Sequence, residues 1–229
     1  MNLNNLLNQV LGAVQKNSTG APQQNTAATN GFNTDTLLKI GGGAAAASVL
    51  SMIFKGKGKR KSGNKLLQAG SMAAIGALAW QAYQTWQRNQ AAAGNTAASN
   101  APVLTPEAFQ HQGASAENAG RIILRTMVAA AASDGLIDET ERALIQSEAD
   151  AADPEAQQWL AAQLQNPATV ADLAREIGNQ PALAAEAYLA ARMVCGDLAR
   201  KEIVFLSQLS QALGLDEKWV ETLEQQAGF

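Results

Sequence analysis

The stretch 131–142, with the sequence AASDGLIDETER, carries the densest group of side chains that could do chemistry. It places Asp134, Asp138 and Glu141 around a glycine turn between two helical patterns. Hard divalent cations such as Ca²⁺ and Mg²⁺ take oxygen ligands from short acidic loops of this kind. Alternatively, Gly135 ends one helix, and Asp138 with Glu141 forms a capping box for the next helix. The spacing leaves both interpretations open.

A second acidic turn echoes the first. Asp197 follows the end of an apolar helical pattern, and Glu202 lies in the opening turn of the next one. Helix–turn–helix repeats often pack around a pseudo-twofold axis, which would bring the carboxylates of both turns together. Clustered carboxylates repel, so such a site usually holds a cation or raises a pKa. The alternative is that each acid caps its own helix, worth about 0.3–1 kcal/mol apiece. The candidate metal ligands are Asp134, Asp138, Glu141, Asp197 and Glu202, and no catalytic residue is predicted.

The elements that must position these residues lie in the stretch 105–229. Its helix start and stop signals predict a compact all-α domain of about seven short helices. No part of it shows sustained strand alternation. Pro181 predicts the start of a helix that runs to about Val194, and Asp216 predicts the N-cap of the last helix. A domain of this length can bury one core and fold alone.

The residues in front of this domain divide into four stretches. Leucine and valine at helical spacing predict an amphipathic helix at 1–16 that lies on a membrane surface or packs on a partner. Polar residues without periodicity predict a flexible linker at 17–36. The stretch 37–86 predicts one or two membrane segments, and the Ala/Asn/Gln-rich stretch 87–104 predicts a second linker.

Two Gly/Ala-rich apolar stretches, 37–54 and 66–86, carry the membrane prediction. The first is close to the shortest helix that spans a hydrocarbon core. The second ends with Trp80, Tyr83 and Trp86, which suit a membrane–water boundary, although its glutamines weaken it as a span. If both stretches span, both termini face the other compartment. If only the first spans, the C-terminal domain stays in the cytoplasm, and the weaker second stretch favours this topology. A soluble Ala/Gly-rich helical hairpin is the alternative for both stretches.

The stretch 55–65 separates these two apolar stretches and carries six positive charges and no acid. Because aromatic residues are not interleaved with the charges, the pattern favours a cytoplasmic juxtamembrane loop over a nucleic-acid site. The expected partners are the membrane and an unknown protein, with no nucleic acid. The residues expected to contact anionic lipid head groups are Lys55, Lys57, Lys59, Arg60, Lys61 and Lys65.

Charge is divided unequally along the chain. Residues 1–101 hold nine basic residues and one acid, a net charge of +8, whereas residues 102–229 hold eight basic residues and nineteen acids, a net charge of −11. This asymmetry is typical of a basic membrane-proximal arm joined to an acidic domain. The sole cysteine, Cys195, excludes an internal disulfide framework. The sole histidine, His111, lies in a polar stretch and argues against zinc or haem chemistry.

At its two acidic turns the chain resembles the TerB-like (tellurite-resistance) domain. The pattern of that family is an Asp-Gly-x-hydrophobic-Asp-x-x-Glu turn followed by a second Asp and Glu, and residues 115–227 fit it. With the apolar and basic stretches in front, the chain resembles the YebE-type bacterial inner-membrane proteins. The resemblance implies an all-α bundle, an acidic metal site and an inner-membrane location, with no established reaction. The matching residues are Asp134, Gly135, Ile137, Asp138, Glu141, Asp197 and Glu202.

Three functional hypotheses follow from these observations. The first is a membrane-anchored, non-enzymatic sensing or scaffolding module that binds a divalent cation or a protein partner during envelope stress. The second is a metal-dependent hydrolase with a metal-bound water, which is disfavoured because the sequence offers no histidine as base or ligand and no Gly-rich phosphate loop. The third is a structural membrane protein that forms a homo-oligomer through its small-residue helices.

Overall fold

A computed structural model of the chain describes Leu7 and residues 72–92, 102–133, 154–195 and 198–229. These ranges contain seven α-helices, one short 3₁₀ helix and no β-strand, which confirms the predicted all-α class. The elements are α1 (Met72–Ala92), the 3₁₀ helix η1 (Pro106–Phe109), α2 (Gly113–Ala132), α3 (Pro154–Gln165), α4 (Val170–Ile177), α5 (Pro181–Val194), α6 (Arg200–Ala212) and α7 (Glu217–Ala227).

Helix α5 lies at the centre of the described core. Its sequence, PALAAEAYLAARMV, contains only two charged residues, and every residue from Ala182 to Val194 is buried. A helix that is apolar on all sides must be covered on all sides. Helices α1, α2, α6 and α7 and the η1 segment provide this cover.

Helix α1 turns an aromatic face towards the core. The Trp86 ring stacks on Trp219 of α7 with the ring centroids 5.4 Å apart, and Tyr83 meets Trp219 edge-on at 5.6 Å. Trp80 is half-buried and packs against Phe109 of η1. The three side chains for which the sequence predicts a membrane–water boundary thus contact other aromatic residues of the protein.

The carboxylate of Asp216 adds a polar link between α1 and α7. Asp216 is the N-cap of α7, as predicted, and its Oδ1 accepts the backbone N–H groups of Lys218 and Trp219 at 3.0 and 3.2 Å. The same oxygen accepts the indole N–H of Trp86 at 3.1 Å. The cap that starts the last helix thus also fixes the position of α1.

Helix starts follow local signals in the sequence. Pro181 is the first residue of α5, where its fixed φ suits a helix and its missing N–H has no cost. Helix α4 begins at Val170, three residues after Pro167. It does so because the Thr169 hydroxyl accepts the backbone N–H of Asp172 and so supplies the cap.

The apolar stretch 66–86 overlaps helix α1. Within the described ranges, no helix is long and apolar enough to cross a membrane. The helix also continues to Ala92, into the stretch 87–104 whose composition predicts a linker. Helix α1, which begins well before residue 105, is therefore packed together with the C-terminal helices.

The predictions for the linker 17–36, the apolar stretch 37–54 and the basic stretch 55–65 lie outside the described residues. Of the predicted amphipathic helix at 1–16, only Leu7 is described. It is helical and fully buried in the same core as α1 and α5. This favours packing on the domain for that residue.

Helix α1 passes very close to η1 at Gly76. A β-carbon at this position would overlap the carbonyl oxygen of Phe109 and would lie 3.1 Å from Oε1 of Glu186 on α5. The α-hydrogen of Gly76 faces these oxygens instead, which is the geometry of a weak Cα–H···O contact. The missing side chain therefore sets the distance between α1 and the rest of the core.

Gly76→Ala is expected to lower the free energy of unfolding by about 1–3 kcal/mol, the usual cost of overpacking. Alanine normally stabilises a helix by about 1 kcal/mol relative to glycine, so the expected sign is opposite to helix propensity. Chemical denaturation of the full chain measures the effect, with Ala73→Gly on the exposed side of α1 as the control for propensity. Equal or increased stability of Gly76→Ala would contradict the close approach.

Candidate functional site

Only one of the five predicted metal ligands belongs to the described residues. Glu202 lies in the first turn of α6, is buried, and accepts the backbone N–H of Ala199 through Oε2 at 2.7 Å. This is the capping role that the sequence leaves open as the alternative to cation binding. Within the described ranges, no group of three or more His, Cys, Asp or Glu side chains could hold a metal ion. The predicted ligands outside those ranges are Asp134, Asp138, Glu141 and Asp197.

A different pair of titratable side chains lies in the described core. Glu186 is in the middle of α5, and His111 lies in the short connection between η1 and α2. The His111 Nε2 and Glu186 Oε2 atoms are 2.7 Å apart. The Glu186 side chain is fully buried, and that of His111 is 13% exposed. One buried acid is thus matched by the only imidazole of the chain.

The second carboxylate oxygen of Glu186, Oε1, lies beside Gly76. It is buried and has no hydrogen-bond partner in the part of the chain that the structure describes. A buried polar atom without a partner costs stability. Where such an atom also lies beside a cavity, it is a candidate for a functional site.

Both pKa values of the pair are raised. Burial raises the pKa of Glu186 by penalising the charged carboxylate, and the hydrogen bond from His111 only partly opposes this. The hydrogen bond to Glu186 raises the pKa of His111, against a smaller opposite effect of its own burial. The pair therefore keeps a shared proton to a higher pH than a free imidazole would.

A cavity of about 600 Å³ opens beside this pair. Its walls come from the first half of α1, from η1 and from the start of α2. The Trp80 and Phe109 rings belong to these walls, with their planes inclined by 51°. Gly76 and His111 also form part of the wall. Because both residues contact Glu186, the carboxylate lies directly behind this part of the wall.

The Glu186 carboxylate orients the imidazole ring of His111. When the Glu186 carboxylate accepts the Nε2–H group, a neutral His111 keeps its lone pair on Nδ1. Carboxylate–histidine pairs present the second nitrogen in this way to a metal, a proton or a hydrogen-bond donor. The described lining of the cavity includes no serine, threonine or cysteine that could act as a nucleophile. The described site is therefore suited to ligand binding or proton transfer.

A second, partly buried polar cluster lies further along α5, beyond Glu186. Arg192 is 3.4 Å from Glu224 of α7, and its guanidinium lies 4.1 Å above the centre of the Phe229 ring. Tyr188 donates a hydrogen bond to the same carboxylate at 2.7 Å. Burial, followed by this carboxylate, raises the pKa of Tyr188, so that it stays a neutral donor. None of these side chains lines the cavity, and the cluster serves to fix α7 on α5.

In the sequence, His111 lies in a polar stretch, argues only against zinc and haem chemistry, and is not expected to serve as the base of a hydrolase. The structure corrects this point, because His111 is paired with a buried acid. A signal for Glu186 does exist, since it is the only acid in an otherwise apolar helix and a buried charge needs a partner. That signal does not identify the partner, which lies 75 residues away.

Fold and site together define an all-α domain built around a buried central helix that carries a carboxylate–imidazole pair. Residues 39–227 match the model of the DUF533 family, described as a protein of unknown function, and the chain belongs to this family. The match begins before α1 and ends at the last residue of α7. Comparisons with curated proteins and with solved structures gave no significant match.

The free energy of unfolding is expected to fall as the pH rises, because both groups have raised pKa values and the folded protein therefore binds more protons than the unfolded chain. The loss begins above 4.5, the ordinary pKa of Glu186, and continues above 6.5, the ordinary pKa of His111, through its raised folded value. Thermal unfolding of the full chain across this pH range measures this loss of stability.

Two variants serve as references for this pH dependence. Glu186→Gln is expected to flatten the stability curve, because it removes one titrating group and the cause of the raised pKa of the other. Glu221→Gln removes an exposed acid of α7 and is expected to leave the shape unchanged. A wild-type curve parallel to that of Glu186→Gln would exclude the pair as the source.

Proposed function

We propose that the protein is a non-enzymatic helical binding module that the apolar stretch 37–54 attaches to the bacterial inner membrane. In this proposal the basic stretch 55–65 lies on the cytoplasmic side and binds anionic lipid head groups. The helical domain lies on the same side. There it binds a divalent cation and a protein partner during envelope stress, in keeping with the TerB-like resemblance of residues 115–227.

The packing of α1 is the observation that carries this proposal. The stretch 66–86 is the second candidate for a membrane span, and most of it belongs to α1. Tyr83 and Trp86 are buried against Trp219. A helix that uses its aromatic face in a protein core does not have that face available for lipid. This supports a single span, which leaves the C-terminal domain on the side of the basic stretch.

The short connection between the basic stretch and α1 is the second support. Only six residues separate Lys65 from Met72. A fully extended connection of this length reaches at most about 25 Å. The domain would therefore stay close to any membrane surface that the basic stretch binds. The family match is one continuous region from residue 39 onwards, which is consistent with the apolar stretch and the domain acting as one unit.

The cation-binding part of the proposal concerns the two acidic turns, 134–141 and 197–202. Glu202 already caps α6. Its proposed contribution is therefore to hold the second turn in place, while Asp134, Asp138, Glu141 and Asp197 supply the oxygen ligands.

The proposed topology predicts the side of the membrane on which the C-terminus lies. A fluorescent protein fused after Phe229 is expected to be active, because such fusions fluoresce on the cytoplasmic side. A secreted phosphatase fused at the same place is expected to be inactive. Phosphatase activity at the C-terminus would contradict the single span.

Substitutions in the apolar stretch 37–54 test its role as the membrane anchor. Ala46→Lys places a charge near its centre, at a cost of about 2.5–3.5 kcal/mol for insertion, and is expected to move the protein out of the membrane fraction. Ala46→Leu is the matched control and is expected to stay there. An unchanged distribution of Ala46→Lys would show that another part of the chain is the anchor.

The proposed cation site is tested by calorimetric titration of the full chain with Ca²⁺, Mg²⁺ and Mn²⁺. Saturable binding is expected, and Asp134→Asn and Asp197→Asn are each expected to abolish it if the two turns share one ion. Glu202→Ala removes the acceptor of the Ala199 N–H and is expected mainly to lower the free energy of unfolding, by about 1 kcal/mol for a lost helix cap. Absence of binding heat in the folded wild-type protein would contradict the site.

A further inference from the structure

The cavity beside His111 and Glu186 has walls whose chemistry specifies a class of ligand. We propose that it binds a small organic ammonium ion with an apolar body, which donates a hydrogen bond to Nδ1 of His111. This inference rests on the described core alone and is independent of the proposed membrane attachment and cation site.

The apolar part of the ligand would lie against an aromatic wall. Trp80 is half-buried and Phe109 is almost fully buried, with their ring centroids 5.6 Å apart. Aromatic faces attract organic cations through their quadrupoles, and Trp is the most effective residue in this respect. The cavity volume of about 600 Å³ is within the usual range for small-molecule sites. Size and wall chemistry therefore suit a ligand with a ring or a short alkyl chain.

The cationic part of the ligand is specified by the acid behind the wall. Glu186 is fully buried, and its Oε1 accepts no hydrogen bond from the described residues. No Lys or Arg occurs in the described lining of the cavity. A ligand carboxylate would be repelled by Glu186, whereas an ammonium group is attracted by it. The direct contact is with His111. Because its Nε2–H group donates to the carboxylate, its Nδ1 atom is the acceptor for the ammonium group.

Other charged groups on the elements around Glu186 are engaged elsewhere or exposed. Arg121 and Arg125 of α2 pair with Glu176 of α4, and Arg192 pairs with Glu224. Among the described residues, only His111 forms an ion pair with Glu186. Glu202 is buried in its helix cap, and the exposed charged residues of α1, η1, α2, α6 and α7 are Arg88, Glu107, Glu117, Arg200, Lys201, Glu217, Lys218 and Glu221.

The site predicts that binding of the ammonium ligand is coupled to loss of a proton from His111. Nδ1 accepts a hydrogen bond only when the imidazole is neutral, so an ammonium ligand must displace the extra proton of a protonated His111. Binding therefore tightens as the pH rises through the pKa of His111, and the proton is released to solvent below that pKa. An alkylammonium keeps its own charge up to about pH 10, so the ligand does not titrate in the same range.

The experiment compares three probes with the same skeleton, which are phenylbutylammonium, phenylbutanol and phenylbutyrate. Each is titrated calorimetrically into the full chain at about pH 6 and about pH 8, on either side of the usual range for histidine. The ammonium is expected to bind saturably, at least about tenfold more tightly than the carboxylate. Titrations in buffers of different ionisation enthalpy measure the released proton.

Two variants test the charge of Glu186 and the space in the cavity separately. Glu186→Gln is expected to weaken binding of the ammonium by at least about tenfold while leaving that of the alcohol unchanged. Ala77 is an exposed lining residue, so Ala77→Leu should fold normally and weaken both probes by filling the cavity. Glu221→Gln is the control for a lost acid outside the site. Near-ultraviolet circular dichroism of the aromatic cluster verifies that each variant is folded.

The proposal is overturned if phenylbutyrate binds as tightly as the ammonium, or if affinity for the ammonium does not rise with pH. It is also overturned if the folded wild-type protein binds none of the probes, or if folded Ala77→Leu binds the ammonium unchanged. If Glu186→Gln fails to fold, the pH dependence and the Ala77→Leu variant still decide the question.

Discussion

The burial of α5 on every side is the constraint on which the rest of the structure depends. A helix in this position contributes most when it is wholly apolar, yet this one carries Glu186 and Arg192. Each charge must find a partner from another element, because an unpaired buried charge is strongly destabilising. His111 meets the first requirement and Glu224 meets the second. The positions of the η1–α2 connection and of α7 follow from these two pairings.

Helix α1 shows why composition alone does not separate a membrane helix from a core helix. Glycine and alanine permit close approach of a neighbour in both environments. At Gly76 the neighbour is the backbone of η1. Further along the helix, Trp80 packs against Phe109 of η1, and Tyr83 and Trp86 pack against Trp219 of α7. The indole N–H of Trp86 likewise donates its hydrogen bond within the protein, to the carboxylate of Asp216.

The predictable part of the fold is the part that local chemistry determines. The start of α5 at Pro181 and the cap of α7 at Asp216 each depend on a few adjacent residues, and both agree with the structure. The pairing of His111 with Glu186 depends instead on how α1, η1 and α5 pack, which no short pattern encodes. A lone acid in an apolar helix signals that a partner must exist. It contains no information about the element that supplies this partner.

The His111–Glu186 pair is difficult to explain by stability alone. Apolar side chains of similar volume would fill the same space without removing a charge from water, and such replacements are often neutral or stabilising. The present arrangement also leaves Oε1 of the carboxylate without a donor among the described residues. A structural cluster in the same core, formed by Tyr188, Arg192 and Glu224, does not border the cavity. His111 does line the cavity, and the Glu186 carboxylate lies behind the same wall. This location favours a role in recognition over a role in folding.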